Sequence, residues 1–201
     1  RLKLLKPLKI SEDLFVVNPQ IKVTDLENSN AQTLLIENNV NLLKPIVMLN
    51  IIGSSDNKTY PITHMAKVVD LVAQNDVQIL FNYLPAQAEA AKKLLSFCNA
   101  ESQQKIYFNV LAKNLRGLLG LINQCSLVIG NDGGTMNMAK ALNKPTFIIF
   151  SPWIEKIAWS TFEDGKKIYV RTSIEDGRVR LKIVDEGIGI PVSDLTRVTK
   201  P

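Results

Sequence analysis

Ser126 to Ser151 reads SLVIGNDGGTMNMAKALNKPTFIIFS, and this stretch decides the fold. An apolar run, Leu127 to Ile129, halts at Gly130-Asn131-Asp132-Gly133-Gly134-Thr135. A helical pattern follows, and after Lys144-Pro145 a second apolar run begins at Thr146 and ends at Phe150. The order is strand, Gly-rich turn, helix, strand. Such a unit sets backbone N–H groups and a helix N-terminus beside the carboxyl end of a parallel strand, which suits a phosphate. The turn is not G-x-G-x-x-G, so a dinucleotide-binding dehydrogenase draws little support. Plain strand–turn–helix scaffolding produces the same pattern, so the segment alone leaves both readings open.

Upstream, the pattern repeats. Thr24-Asp25-Leu26-Glu27 has capping-box spacing, with apolar Leu26, Ala31, Leu34, Leu35 and Ile36 on a helix that closes near Asn38-Asn39. Ile46 to Ile52 is a nearly continuous apolar run of the kind found in buried parallel strands. A polar loop (Gly53 to Pro61), a helix (Ile62 to Gln74), a strand (Gln78 to Phe81) and a helix (Ala86 to Phe97) come next. A strand (Lys105 to Phe108) and a helix (Leu115 to Gln124) complete the series. Five strands with four intervening helices predict a doubly wound α/β parallel sheet. After Ser151 the character changes. Trp153 to Asp164 reads as a loop or short helix holding both tryptophans, which either pack the loop or stack a base, and Lys167 to Val170 as a sixth strand. Arg178 to Val184 alternates basic and apolar residues, the signature of a half-exposed strand that does not obviously continue a sheet covered on both faces. Three parts result: an opening segment and helix over 1–44, the α/β domain over 45–170, and an atypical strand–turn tail over 171–201.

With 201 residues, 46% hydrophobic and 21% charged, the chain has the composition of a soluble globular protein that buries a sizeable core. Its formal net charge of +5 is spread thinly, and a nucleic-acid surface needs a denser basic stripe. Cys98 and Cys125 lack metal-ligand spacing and read as reduced core thiols of a cytoplasmic protein. No apolar run is long enough to cross a bilayer; the inner face of the plasma membrane remains compatible as a peripheral site. The start, RLKLLKPLKI, is interrupted by Lys and Pro, makes a poor signal peptide and reads as a truncated piece of something upstream.

Ligands of doubly wound sheets sit over the carboxyl ends of the strands. The loops expected there are Gly53 to Lys58, Asn82 to Pro85, Asn109 to Asn114 and Gly130 to Thr135. Lys58 offers a point charge to a diphosphate, and Ser54, Ser55 and Thr135 offer hydroxyl donors. A helix starting near Thr135 adds a partial positive charge. Taken alone, Lys58 reads as a solvated surface lysine; the combination is what suggests stabilisation of a leaving nucleoside diphosphate. Asp132 either caps the following helix or holds a sugar hydroxyl. His64, the sole histidine, lacks a nearby nucleophile or carboxylate in sequence, and a lone histidine of this kind is more often structural. The sequence holds no metal cluster and no catalytic triad.

Over Pro45 to Val170 the chain resembles the C-terminal, donor-binding half of the heptosyltransferase-like glycosyltransferases that build lipopolysaccharide core. The first matching stretch is Asn50-Ile51-Ile52-Gly53-Ser54-Ser55, then Lys58-Thr59-Tyr60-Pro61, against a family loop close to N-P-G-A-S followed by Lys and an aromatic-Pro pair. The second is Gly130-Asn131-Asp132-Gly133-Gly134-Thr135-Met136-Asn137-Met138-Ala139, against G-N-D-T-G-P-M-H-L-A. The resemblance implies one Rossmann-like half of a two-Rossmann-domain inverting transferase that uses a nucleotide-diphospho-sugar such as ADP-heptose, with no metal and no cofactor. It implies that Lys58 faces the diphosphate, that Gly53, Ser54, Ser55, Gly133, Gly134, Thr135, Met136 and Asn137 surround the donor, and that Asp132 approaches the sugar. Gly133, Thr135 and Asn137 depart from the family's Thr, Pro and His, and Gln87 lies near the place of a ribose-binding Glu. In that family the N-terminal domain supplies the acceptor site and the general base. Residues 1–44 are too short for it, so the lipopolysaccharide-precursor acceptor is expected to need a missing domain, and the chain alone is expected to bind donor without transferring sugar.

The tail, RVRLKIVDEGIGIPVSDLTRVTKP, is similar to the first glycine box of sensor histidine kinase ATPase domains, which implies nucleotide contacts at Asp185, Gly187 and Gly189. The kinase's Asn-bearing helix, lid glycines and phosphoacceptor histidine have no counterpart. The expectation is therefore a chimeric chain or a chance match. An ATP-binding kinase fragment and a non-catalytic α/β scaffold stand as the two alternatives.

Overall fold

The computed structural model describes residues 20–151 in full and the backbone of two further strands, 168–175 and 178–185. The opening decapeptide, Trp153, Trp159, Gly187 and Gly189 lie outside the described residues.

The chain alternates as the apolar runs dictate. A helix α1 (Asp25–Glu37) leads into β1 (Ile46–Asn50), α2 (Ile62–Ala73), β2 (Gln78–Asn82), α3 (Ala88–Phe97), α4 (Ala100–Gln104), β3 (Ile106–Tyr107), α5 (Leu115–Gln124), β4 (Leu127–Asn131), α6 (Gly134–Ala141) and β5 (Thr146–Phe150). Strands β6 (Ile168–Glu175) and β7 (Arg178–Asp185) follow. The sheet order is β3-β2-β1-β4-β5-β6-β7. All neighbours from β3 to β6 pair parallel. The winding starts at β1, runs out to β3, returns across β1 to β4 and runs out the other way. The reversal between β1 and β4 is the topological switch point of a doubly wound fold.

Period-2 alternation of the buried strands divides the core in two. Met48, Leu80, Val128 and Ile148 face α1, α5 and α6, which contribute Ala31, Leu35, Leu121, Ile122, Met136 and Ala139. Val47, Leu49, Ile79, Phe81 and Ile129 face α2 and α3, which contribute Met65, Val69, Ala91 and Leu94. Both faces are covered, so β1, β2, β4 and β5 read as unbroken apolar runs rather than alternating ones.

The expected capping box at α1 is present: Thr24 N donates to Glu27 Oε2 at 2.8 Å and Glu27 N donates to Thr24 Oγ1 at 3.3 Å. Glu27 also pairs with Arg116 of α5, which, with the Thr24 amide, holds its carboxyl down at about 2. Of the apolar positions on α1, Ala31 and Leu35 are buried, while Leu26 and Ile36 are 70% and 59% exposed. α1 therefore packs along a narrow stripe. The helix expected over Ala86 to Phe97 opens with a short 3-10 turn at Pro85–Gln87 and becomes α-helical at Ala88. The strand expected over Lys105 to Phe108 narrows to Ile106–Tyr107, because it pairs only with β2 as the outermost strand.

The alternating strand expected from Arg178 is present as β7, and its sheet, which the sequence left open, is now defined. It pairs antiparallel with β6 along all eight residues, from Ile168↔Asp185 to Glu175↔Arg178, and so extends the same sheet. One antiparallel edge strand on an otherwise parallel sheet is common in doubly wound folds, and an edge position tolerates a basic-apolar alternation that a central strand would not. Asp185 is the last residue of that edge strand.

Candidate functional site

The carboxyl ends of β2, β1 and β4 lie level, with Asn50 in register with Asn82 on one side and with Gly130 on the other. Close approach of the β4 backbone to β1 requires Gly130: its φ is +135°, and a Cβ there would stand 2.2 Å from Asn50 O. Two segments, Gly53 to Tyr60 after β1 and Gly130 to Asn137 after β4, thereby flank the switch point.

A side-chain clasp joins them. Asn50 Nδ2 donates to Asn131 O at 2.9 Å and Asn131 Nδ2 donates to Asn50 O at 3.1 Å. Asn131 Oδ1 accepts from Tyr60 N at 2.6 Å, fixing the end of the Lys58 loop against β4. Within that loop, residues Asp56–Lys58 form a 3-10 turn. Gly53 N donates to Thr59 Oγ1 at 3.1 Å, Thr59 Oγ1 donates to Ser55 O at 2.8 Å, and Ser55 Oγ donates to Asn57 Oδ1 at 2.6 Å. Gly53 is buried beneath its own loop: a Cβ would fall 2.3 Å from Lys58 O. Its role in the fold is to let that loop close. Gln87 ties the next loop in, donating from Nε2 to Gly53 O at 3.0 Å and accepting at Oε1 from Leu84 N at 2.9 Å.

On the β4 side, α6 starts at Gly134 with Gly133 as N-cap, so no side chain caps its first amides. A Cβ on Gly134 would meet nothing within 4 Å. These donors open onto the edge where the Lys58 loop ends, the geometry that favours an anion. Asp132 is partly buried, and burial pushes its carboxyl above the usual carboxylate range. The charges of Lys140 and Lys58 and the Gly133 amide pull in the opposite direction.

Of the residues singled out from sequence, Ser54, Ser55, Gly134 and Asn137 are exposed, and Lys58, Asp132 and Gly133 are half-buried. All stand on the two segments that flank the switch point. Thr135 is buried at 8% exposure. The Met136 side chain is fully buried in the core, and its amide donates to Gly133 O at 3.1 Å. His64 is exposed in the first turn of α2, its ring 5.7 Å from that of Tyr60. No group of three or more His, Cys, Asp or Glu side chains gathers into a metal site among the described residues.

The amides of Asn50, Asn82 and Asn131 escaped the sequence-based site. Asn82 Nδ2 donates to both Asn50 Oδ1 and Thr135 Oγ1, each at 3.0 Å. The signal was present: the apolar runs IVMLN, QILFN and LVIGN each end in Asn. A strand-terminal Asn repeated on three strands of a parallel sheet sets three amides at one edge.

A doubly wound sheet with these loops at its switch point defines a Rossmann-like α/β domain. Residues 10–159 match the model of glycosyltransferase family 9 (heptosyltransferase). The match covers well over half of the chain, and the chain belongs to this family. It is 28% identical over 177 residues to lipopolysaccharide heptosyltransferase 1 of Campylobacter coli, covering 86% of this chain and 46% of that protein. Among solved structures, the E. coli ADP-heptose lipopolysaccharide heptosyltransferase II superposes with a TM-score of 0.63 at 20% identity, over 79% of this chain and 46% of that one. An E. coli heptosyltransferase bound to ADP-2-deoxy-2-fluoro heptose gives 0.51 at 18% identity, over 71% and 41%. The chain spans about half the length of the relatives it matches. The kinase glycine-box reading of residues 178–201 finds no support in these comparisons, and the family match ends before that segment.

Proposed function

We propose that this chain binds the nucleotide-diphospho-sugar donor, of the ADP-heptose type, in a transferase that extends lipopolysaccharide core. The observation that carries the reading is the Asn50–Asn131 clasp, which fixes the Lys58 loop and the uncapped start of α6 on neighbouring strand ends. In the reaction, an acceptor hydroxyl attacks the anomeric carbon, the bond from that carbon to the diphosphate breaks, and the leaving group carries the developing negative charge. Lys58, the Gly134 and Thr135 amides and the α6 dipole supply preorganised positive potential where that charge appears. Asp132, half-buried beside them, is suited to hold a sugar hydroxyl. The base that takes the acceptor's proton belongs to the half of the enzyme outside this match, so the isolated chain binds donor without turning it over. No helix among the described residues is long and apolar enough to cross a membrane.

Calorimetry and thermal shift test this directly. ADP without Mg²⁺ is expected to bind and to raise the melting temperature, and Lys58→Ala to weaken that binding at least tenfold. Full ADP affinity in Lys58→Ala removes the assignment, and stabilisation by Mg-ATP alone favours a kinase-type nucleotide site instead.

A further inference from the structure

The hydrogen-bond chain across the three strand ends has a fixed polarity, and a backbone carbonyl sets it. Asn131 O can only accept, so Asn50 must present Nδ2 to it, at 2.9 Å. Asn50 Oδ1 then faces Asn82, which must present its own Nδ2, at 3.0 Å. The second hydrogen of that same Nδ2 goes to Thr135 Oγ1, also at 3.0 Å. Each amide orientation in the chain follows from the one before it.

The last member of the chain is Thr135, 92% buried by its 8% exposure, in the first turn of α6. Its oxygen accepts from Asn82 through one of its two lone pairs, and no hydrogen bond donated by its hydroxyl is formed among the described residues. A buried hydroxyl with an unused proton is a donor open to a ligand oxygen or an ordered water. Accepting from an amide also polarises the O–H group as a donor. The neighbouring donors are the uncapped α6 amides, and Lys58 lies close enough for its charge to act on Asp132.

We infer that Asn82 is a positioning residue that orients Thr135 as a hydrogen-bond donor to the diphosphate of the bound nucleotide. The inference rests on the proposed donor-binding reading and adds to it one residue, Asn82, which acts only through Thr135, whose hydroxyl touches the phosphate oxygen. A hydroxyl stands at Thr135 where the family pattern quoted above has proline.

A double-mutant cycle read by calorimetry tests it, with ADP and adenosine as probes. Thr135→Val, which keeps the shape and removes the hydroxyl, is expected to weaken ADP binding about tenfold or more, as loss of a hydrogen bond to a charged group does. Thr135→Ser restores it. Asn82→Leu weakens ADP binding in the native background and has no further effect in the Thr135→Val background, and adenosine affinity is unchanged throughout. Melting temperatures identify any variant that fails to fold, and for such a variant Asn82→Ser substitutes for Asn82→Leu. Equal ADP affinity in all variants overturns this inference and leaves the donor-binding reading standing. Additive losses from the two sites overturn the coupling. Absence of ADP binding in the unaltered chain overturns both.

Discussion

Asn131 accepts the Tyr60 amide at 2.6 Å while its Nδ2 grips Asn50 O at 3.1 Å, so one buried side chain joins a loop 71 residues away to the neighbouring strand. Residues that hold two elements of the candidate site together act on stability and on its geometry at once.

Asn131 is 1% exposed. Asn131→Ala strands the Tyr60 N–H and removes the Asn50 O partner, and each buried unsatisfied group contributes about 1–3 kcal/mol of destabilisation. The expected loss is at least about 2 kcal/mol, read as a lower urea midpoint at an unchanged slope. A midpoint shift corresponding to under about 0.5 kcal/mol would show that the clasp is redundant.

Cys98 and Cys125 are free and buried, and burial pushes both thiols up to about 12. Each Sγ also lies near a carbonyl one helical turn back: Leu94 O at 3.5 Å and Leu121 O at 3.2 Å. At pH 8 both therefore stay as unreactive thiols. An aromatic disulfide reagent is expected to label neither in the native protein and both in denaturant. Rapid labelling of either before unfolding contradicts the packing described.

The sheet was legible in the sequence because its central strands are buried on both faces. Ile46 to Asn50, Gln78 to Asn82, Leu127 to Asn131 and Thr146 to Phe150 carry no alternation to confuse with a surface strand. The two-residue β3 and the five-residue α4 carried too little periodicity to be delimited. Lys58, Asp132 and the glycine turn were legible as a charge and a local motif. The Asn50–Asn82–Thr135 chain was not, because its members are separated by 32 and 53 residues and meet only once the strand register is set. The sheet that β7 joins was left open by the sequence for a related reason: alternation points to a strand, while only pairing shows which sheet it joins.

Asp132 gives the site a pH dependence whose sign is set by burial. Its folded-state value lies above the ordinary 3.8, so the protonated form is favoured by folding and the ionised form opposes it. Below the ordinary value both states are protonated and the group is silent. Stability is lost as pH rises through the interval up to the raised value, and the loss is complete above it. Asp132→Asn is therefore expected to raise the melting temperature at pH 7 and to leave it unchanged below pH ~3. An equal gain at both pH values would show that ionisation is not the cause.

Gly130 and Gly134 separate the fold from the site. At Gly130 a methyl group would collide with Asn50 O at 2.2 Å, on a backbone with φ of +135° that L-residues rarely adopt. Gly130→Ala is expected to destabilise by more than about 3 kcal/mol, combining steric overlap with strain. At Gly134 a methyl group meets nothing within 4 Å, and the residue is helical. Gly134→Ala is expected to gain up to about 1 kcal/mol of stability from helix propensity. In the proposed donor-binding reading the α6 amides reach a phosphate in the open space beside Gly134, so the same change is expected to weaken ADP binding. Urea unfolding and calorimetry on the two variants read these effects independently. A Gly134→Ala protein that is more stable and binds ADP as tightly as before would move the diphosphate away from the start of α6.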